Sequence, residues 1–307
     1  GLDRLFIMNN LIPELSFNEI EKGDAFSINL LKNALSDHGF FSITEHGLSD
    51  TLVNDCYKSS KQFFDLDFEI KNKYSSVGSK GARGYTPKGI ETAVGEKIAD
   101  QKEFWHHGPV IDDSFDKKIP QNLIIDQIPD FNSNFDSLYI ELHKIGTRVL
   151  SVIALSLGLE NDYFEPWVEK GNSLLRSIHY PPVNSQSNPH RARAHEDINL
   201  ITLLIGAEEG GLEVLSKDGK WIKVAPSSKA IVCNIGDMMQ LVTDKKLKST
   251  THRVIQDKKS ESKPRYSIPF FLHPAPSINL KSIYRDEDDG ILAGDFLDKR
   301  LKEIKLY

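Results

Sequence analysis

Cysteine is scarce. Only Cys56 and Cys233 occur in 307 residues. Two thiols exclude a disulfide framework and a cysteine-rich zinc site. Cys233 lies in the apolar run "AIVCNIG", where a buried structural thiol is expected. Such an inventory suits a reducing compartment, so a cytoplasmic location is expected. Long apolar runs are lacking as well: none reaches the ~18 residues that suggest a membrane span. Nor does a basic stretch followed by a long apolar core open the chain, so no secretory signal is read there. Met8 is taken as the natural start, with Gly1–Ile7 an upstream extension. A surplus of basic charge is missing too. The formal net charge is −6, against the basic face of a nucleic-acid binder. The expected partner is therefore a small molecule, not a nucleic acid or a membrane. Nothing in the sequence encodes an oligomeric state.

What is present is a globular composition, 39% hydrophobic and 27% charged, in a chain that can bury one large core or two modest ones. The apolar spacing changes near residue 172. Before it, "FSINLLKNALSDHGFFSI" spaces Ile28, Leu31 and Leu35 as a helix does, closes at His38-Gly39 and passes into a strand. "TLVNDCYKSSKQFFDLD" repeats the helical pattern with Leu52, Cys56 and Phe63. The longest expected helix is "FDSLYIELHKIGTRVLSVIALSLGL". Its stripe is Leu138, Leu142, Ile145, Val149, Val152 and Leu155 or Leu157, with Gly158 as the stop. After residue 172 the period is two. "SLLRSIHY", "NLITLLIG", "GLEVLS", "WIKVA", "AIVCNIG", "THRVIQ" and "YSIPFFLH" read as short strands, and "SKDGK" as a tight hairpin turn. Such strands indicate an antiparallel sandwich or barrel. "RDEDDG" at 285–290 reads as a solvated acidic loop and "LDKRLKEIKLY" as a return to helix. The expected organisation is a mainly helical region at 1–171, a β core at 172–280 and a tail or helix at 281–307, packed as one unit.

Three polar residues enter the strand-rich half. "AHEDINLITLLIG" places His195 and Asp197 two apart. Residues i and i+2 share one face of an extended chain. His252 follows 55 residues later in "STTHRVIQ". Two neutral imidazoles and one hard oxygen leave three positions open on an octahedral Fe(II). A second pair stands in "KPRYSIPFF", where Arg265 and Ser267 again share a face. A guanidinium offers a two-pronged fork for a carboxylate, and a hydroxyl adds a donor. Taken singly, each motif is weak: His252 alone is equally a strand-face histidine, and Arg265 alone a surface arginine.

Together, His195-x-Asp197, His252 and Arg265-x-Ser267 resemble the Fe(II)- and 2-oxoglutarate-dependent oxygenases, more narrowly the isopenicillin N synthase-like branch. "LIPELSF", "DHGFFSITEHG", "RGYTPKG" and "KEFWHHGP" extend the resemblance over nearly the whole chain. It implies an α+β fold: a double-stranded β-helix, or distorted jelly roll, with N-terminal and flanking helices. It implies that His195, Asp197 and His252 ligate Fe(II), and that Arg265 and Ser267 pair with the distal carboxylate of 2-oxoglutarate. Hydroxylation or desaturation of a small organic substrate by O2 would follow, with succinate and CO2 as co-products. Tyr180 in "HYPP" matches a position whose phenol contacts the cosubstrate, and Phe271 one whose ring lines the substrate pocket. Many plant members carry Asn where this chain has Ile178, which limits transfer of their detailed contacts. Arg83 and Tyr85, in a Gly-rich loop, are candidate substrate contacts, although an exposed loop arginine is the plainer reading of Arg83. Arg191 and Arg193 could meet an acidic substrate or form a solvated lid. His106 and His107 are discounted as a metal pair, because strand neighbours point opposite ways. Two rival readings stand beside this one: an oxidase like isopenicillin N synthase, which needs no 2-oxoglutarate, and a non-catalytic jelly-roll binding protein.

Overall fold

Period-two patterning puts the strands of this chain into two facing sheets. The computed structural model describes residues 12–89, 101–182, 190–255 and 263–303, without the side chains of residues 190 and 191. Met8 and the side chain of Arg191 thus lie outside the described residues. The major sheet has eight strands. They are β1 (Glu14–Ser16), β2 (Phe40–Thr44), β3 (Gly84–Thr86), β4 (Glu103–His107), β5 (Leu174–Tyr180), β7 (Ile201–Ile205), β10 (Ile231–Ile235) and β12 (Arg265–Leu272). Their order is β1-β2-β10-β7-β12-β5-β4-β3. The minor sheet joins β6 (His190–His195), β11 (His252–Ile255), β8 (Leu212–Leu215) and β9 (Trp221–Lys223) in the order β6-β11-β8-β9. Asp218-Gly219 turns β8 into β9, with Gly219 at φ +81° and Ser216 N–H donating to the Lys220 carbonyl.

The major sheet is buried on both faces. One face packs on the helices. Ile201, Leu203 and Ile205 of β7 belong to that core, together with Phe63 from α2 (Asp50–Phe64) and Leu142 from α3 (Phe131–Ser156). The other face meets the minor sheet through Ile178, Tyr180, Val232, Val214 and Val254. Alternation along β7 decides which side chain enters which core. Thr202 and Leu204, between the helix-facing residues, line the cavity between the sheets.

Beside its helices, the half before residue 172 contributes β1, β2, β3 and β4 to the core sheet. β2 is the strand expected after His38-Gly39, whereas β1, β3 and β4 are too short for a period to register. The stripe of the longest helix needs correction. In α3 the buried stripe continues through Leu150, Ile153 and Ala154, whereas Val152 is only partly buried and Leu155 is exposed. The apolar residues at Val152 and Leu155 face outward there. The helix does end before Gly158, at φ +77°. The helix at Ala25–Asp37 (α1) and the C-terminal one (α4, Ala293–Glu303) form where the patterns place them, α4 starting four residues before "LDKRLKEIKLY". Asp24 caps α1 by accepting from Ser27 N–H. No helix among the described residues is long and apolar enough to cross a membrane.

Candidate active site

His195 ends β6, Asp197 follows in the irregular segment after it, and His252 opens β11. Antiparallel pairing sets His252 directly opposite His195. The two ring centroids are 4.4 Å apart. Asp197 Oδ1 lies 3.5 Å from His195 Nε2 and 3.4 Å from His252 Nε2. One ligand atom from each of the three falls within 4.8 Å of the others. This is a facial set on one side of a point, the geometry a single cation needs.

The remaining polar atoms of the three are occupied. His195 Nδ1 faces the Arg193 carbonyl at 2.7 Å, and His252 Nδ1 the Thr250 carbonyl at 3.1 Å. A proton on each Nδ1 leaves the Nε2 lone pairs free for a metal. Asp197 Oδ2 accepts from Thr202 Oγ1 at 2.7 Å and from Asn234 Nδ2 at 2.8 Å, which leaves Oδ1 for the cation. Phe40 packs edge-on against His252, with centroids 5.2 Å apart. Burial opposes the Asp197 charge, but the two histidines outweigh it and hold the carboxyl well below its ordinary range. Burial likewise opposes a charged His195, yet Asp197 raises its pKa on balance.

Across the cavity, β12 presents Arg265, Ser267, Pro269 and Phe271, with His273 just beyond, all lining the same space. The cavity measures about 320 Å³. Arg265 is paired in register with Tyr180 of β5 and sits 5.7 Å from its ring centroid. The guanidinium is buried; Nη1 donates to the Gly210 carbonyl, while Nε has no acceptor among the described residues. Gly211, at φ +91°, brings the chain so close that a Cβ there would fall 3.1 Å from Nη1. Desolvation lowers the Arg265 pKa. A buried guanidinium with an idle nitrogen is costly until an anion meets it.

Other sequence candidates separate. Arg83 is not an exposed loop residue; it is 2% exposed and lines the cavity. Tyr85 departs from its expected role. It is absent from the cavity wall, packs against Phe63 in the helix-side core and donates to Glu103 Oε1 at 3.0 Å. Gly84 between them stands at φ +97°, a conformation that breaks strand alternation and turns the two side chains apart. Phe271 and Arg193 line the cavity. His106 and His107 do point opposite ways. His106 faces the cavity, and His107 Nε2 meets Asp136 at 2.7 Å on the helix side.

Sequence reading passed over several cavity residues. Arg176 donates from Nε to His106 Nε2 at 2.8 Å and stacks over Phe104 and Phe271. It is two residues before Ile178 and four before Tyr180, so period two along β5 carries the signal. His273, two beyond Phe271, is held by burial at a pKa of about 4. Thr202 and Asn234 stand alone in their apolar strands, and an isolated polar residue there was the available clue.

Residues 171–274 match the model of the 2OG-Fe(II) oxygenase superfamily, a span that holds the triad and the Arg-x-Ser pair. The chain belongs to the 2OG-Fe(II) oxygenase superfamily. Residues 12–129 match a model described as the N-terminal region of non-haem dioxygenases in morphine synthesis. A 2-oxoglutarate-dependent dioxygenase of Didymella fabae is 30% identical over 88% of this chain and 88% of its own. A Caulobacter crescentus protein assigned to the 2OG-Fe(II) oxygenase family is 40% identical, with TM-score 0.87 over 96% of this chain and 99% of that one. A full-length Neurospora crassa protein, solved with alpha-KG and thymine, is 28% identical, with TM-score 0.81 over 95% and 96%. This superfamily member is an oxidoreductase, a dioxygenase that depends on Fe(II) and 2-oxoglutarate, and its core is the expected double-stranded β-helix. The rival readings, an oxidase without 2-oxoglutarate and a binding protein without catalysis, find no such support.

Proposed function

We propose that His195 Nε2, Asp197 Oδ1 and His252 Nε2 hold Fe(II), and that Arg265 and Ser267 receive the distal carboxylate of 2-oxoglutarate beside Tyr180. One observation carries this reading. Three donor atoms converge within 4.8 Å, each on a group whose other polar atom is already bonded, in the same cavity as an incompletely paired, buried Arg265. An N2O donor set with open positions suits Fe(II). Bound Fe(II), with 2-oxoglutarate and O2, supplies the oxidising equivalent, and 2-oxoglutarate leaves as succinate and CO2.

The protein's own residues do the positioning. Thr202 and Asn234 keep Asp197 on one oxygen. The fork of Arg265 fixes one end of the cosubstrate and so its orientation toward the triad. Phe271, Ile178 and Leu204 wall the space between and limit water. A cavity of about 320 Å³ fits a small organic substrate, and the Neurospora crassa relative holds one in its thymine complex. A reducing cytoplasm, which keeps iron ferrous, is the proposed setting.

The test is a melting series under nitrogen on Fe(II)-loaded protein. Added 2-oxoglutarate at 100 dissociation constants should stabilise wild type by about 2.7 kcal/mol. Arg265→Gln should erase most of that gain with iron loading intact, and Arg265→Lys should recover part. No shift in wild type, and no 2-oxoglutarate turnover, would refute the assignment.

A further inference from the structure

We infer that the substrate is a small organic acid whose carboxylate is held by Arg83, at the end of the cavity away from Arg265. This rests on the cavity being the substrate site, as proposed above. Arg83 is 2% exposed, and its Nη1 donates to the Ala82 carbonyl at 2.7 Å, while Nε and Nη2 have no acceptor among the described residues. Among those residues, the charged and titratable neighbours whose fields reach it are Tyr139, His107 and His273, none of them a carboxylate. The nearby acid, Asp136, is engaged by His107 at 2.7 Å. Burial brings the Arg83 pKa only to about 10, so the group stays cationic at neutral pH. A buried cation without a counter-ion is costly, and an anionic ligand removes the cost.

The place is also built for a guanidinium. A Cβ on Gly108 would fall 2.0 Å from Arg83 Nη2, so only glycine lets the group lie there. The two arginines mark different ends of the space. Arg265 pairs with Tyr180 at one end of β5, whereas Arg83 lies against Gly108, next after His107, which pairs with Leu175 toward the other end. Five residues of extended chain from Leu175 to Tyr180 span roughly 17 Å. Asp197 bonds Thr202, which pairs with Phe271 toward the Leu175 end, so an acid held at Arg83 would lie beside the metal site without competing for the cosubstrate's cation. Lys80, Lys102, Arg176, Arg193 and Arg300 line the cavity beside the two arginines, against the carboxylates Glu196, Asp197, Asp237 and Glu303; Asp197 is engaged by histidines and Asp237 by Arg300 at 2.9 Å. The field inside therefore favours an anion.

The experiment titrates hexanoate, octanoate, phenylacetate and cyclohexanecarboxylate, each beside its primary amide, into protein loaded with Fe(II) and 2-oxoglutarate under nitrogen, reading the melting shift. With 2-oxoglutarate on Arg265, the acids probe the remaining cavity cations, and the Arg83 variants single out Arg83 among them. At least one acid should bind wild type roughly thirtyfold more tightly than its amide, the loss expected when a buried charge pair is broken. Arg83→Gln should abolish that preference and Arg83→Lys keep part of it, each with the 2-oxoglutarate shift unchanged. Equal binding of acids and amides, no binding of any acid, or a preference that survives Arg83→Gln would overturn the inference. The wild-type comparison of acid with amide decides even if a variant fails to fold. Absence of the 2-oxoglutarate shift itself in wild type would instead refute the parent reading, and this one with it.

Discussion

The two walls of the cavity hold their charges on different terms. On the minor-sheet side, His195, Asp197 and His252 have every polar atom but one hydrogen-bonded to the protein. On the major-sheet side, Arg265 and Arg83 are buried with guanidinium nitrogens that meet no acceptor among the described residues. The first wall is organised before anything binds. The second is completed only by ligands. A metal needs fixed lone pairs converging on a point, which side-chain and backbone hydrogen bonds can pre-set. A carboxylate brings its own acceptors, so idle donors are the right preparation for it.

Removing a ligand breaks the metal wall outright, the largest expected effect. His195→Ala, Asp197→Ala and His252→Ala should each abolish Fe(II) binding with the fold retained, since two groups are too few to hold the ion. Iron per chain after anaerobic loading checks this, and near-wild-type iron in the His252 variant would remove that residue from the set.

A control outside the cavity comes next in size. Glu103 is buried and bonded to Lys71 at 2.7 Å, Tyr85 at 3.0 Å and His179 at 3.1 Å. Burial opposes its charge, but these partners hold its pKa near about 2 rather than 4.5. A depressed carboxyl pKa contributes stability above the unfolded value, and that stability is lost as pH falls through the folded one. Glu103 should therefore contribute about 3 kcal/mol at neutral pH, fading between pH 4.5 and about 2. Melting against pH should show Glu103→Gln less stable at neutral pH and flatter in acid. Parallel curves would deny the network its role.

Thr202→Val tests how far the metal wall is pre-set. Loss of one bond to Asp197 Oδ2 should weaken metal affinity by about 10- to 100-fold without altering 2-oxoglutarate's dependence on Arg265. Unchanged metal affinity would mean Asn234 alone suffices. The smallest effect belongs to Tyr85→Phe, which should cost about 1 kcal/mol of stability, the worth of an ordinary hydrogen bond, and leave ligand binding unaltered. Any change in ligand affinity would return Tyr85 to the cavity account.

His195-x-Asp197 and His252 were legible as polar residues at the edges of apolar runs, although Asp197 lies beyond the end of β6 and strand alternation does not place it. Arg265, Ser267 and Phe271 do obey strand arithmetic, on one face of β12. Arg83 was not legible in the same way. Its burial depends on Gly108, a contact 25 residues distant that local pattern does not encode. The pairing of Arg83 with Tyr85 failed for a local reason: Gly84 at φ +97° turns the chain between them. Arg176 was readable from Ile178 and Tyr180 by period two, but the cosubstrate positions drew the reading first. β1, β3 and β4 were hidden by their brevity; β2 was legible as a strand, but its place in the sheet depends on pairing with the distant β10.

The most direct test is calorimetric titration of 2-oxoglutarate into Fe(II)-loaded wild type, Arg265→Gln and Arg83→Gln under nitrogen. If the second wall has two separate cation sites, wild type and Arg83→Gln bind 2-oxoglutarate alike at one site per chain, and Arg265→Gln loses most of the affinity. Equal loss in both variants, or full affinity in Arg265→Gln, would contradict it.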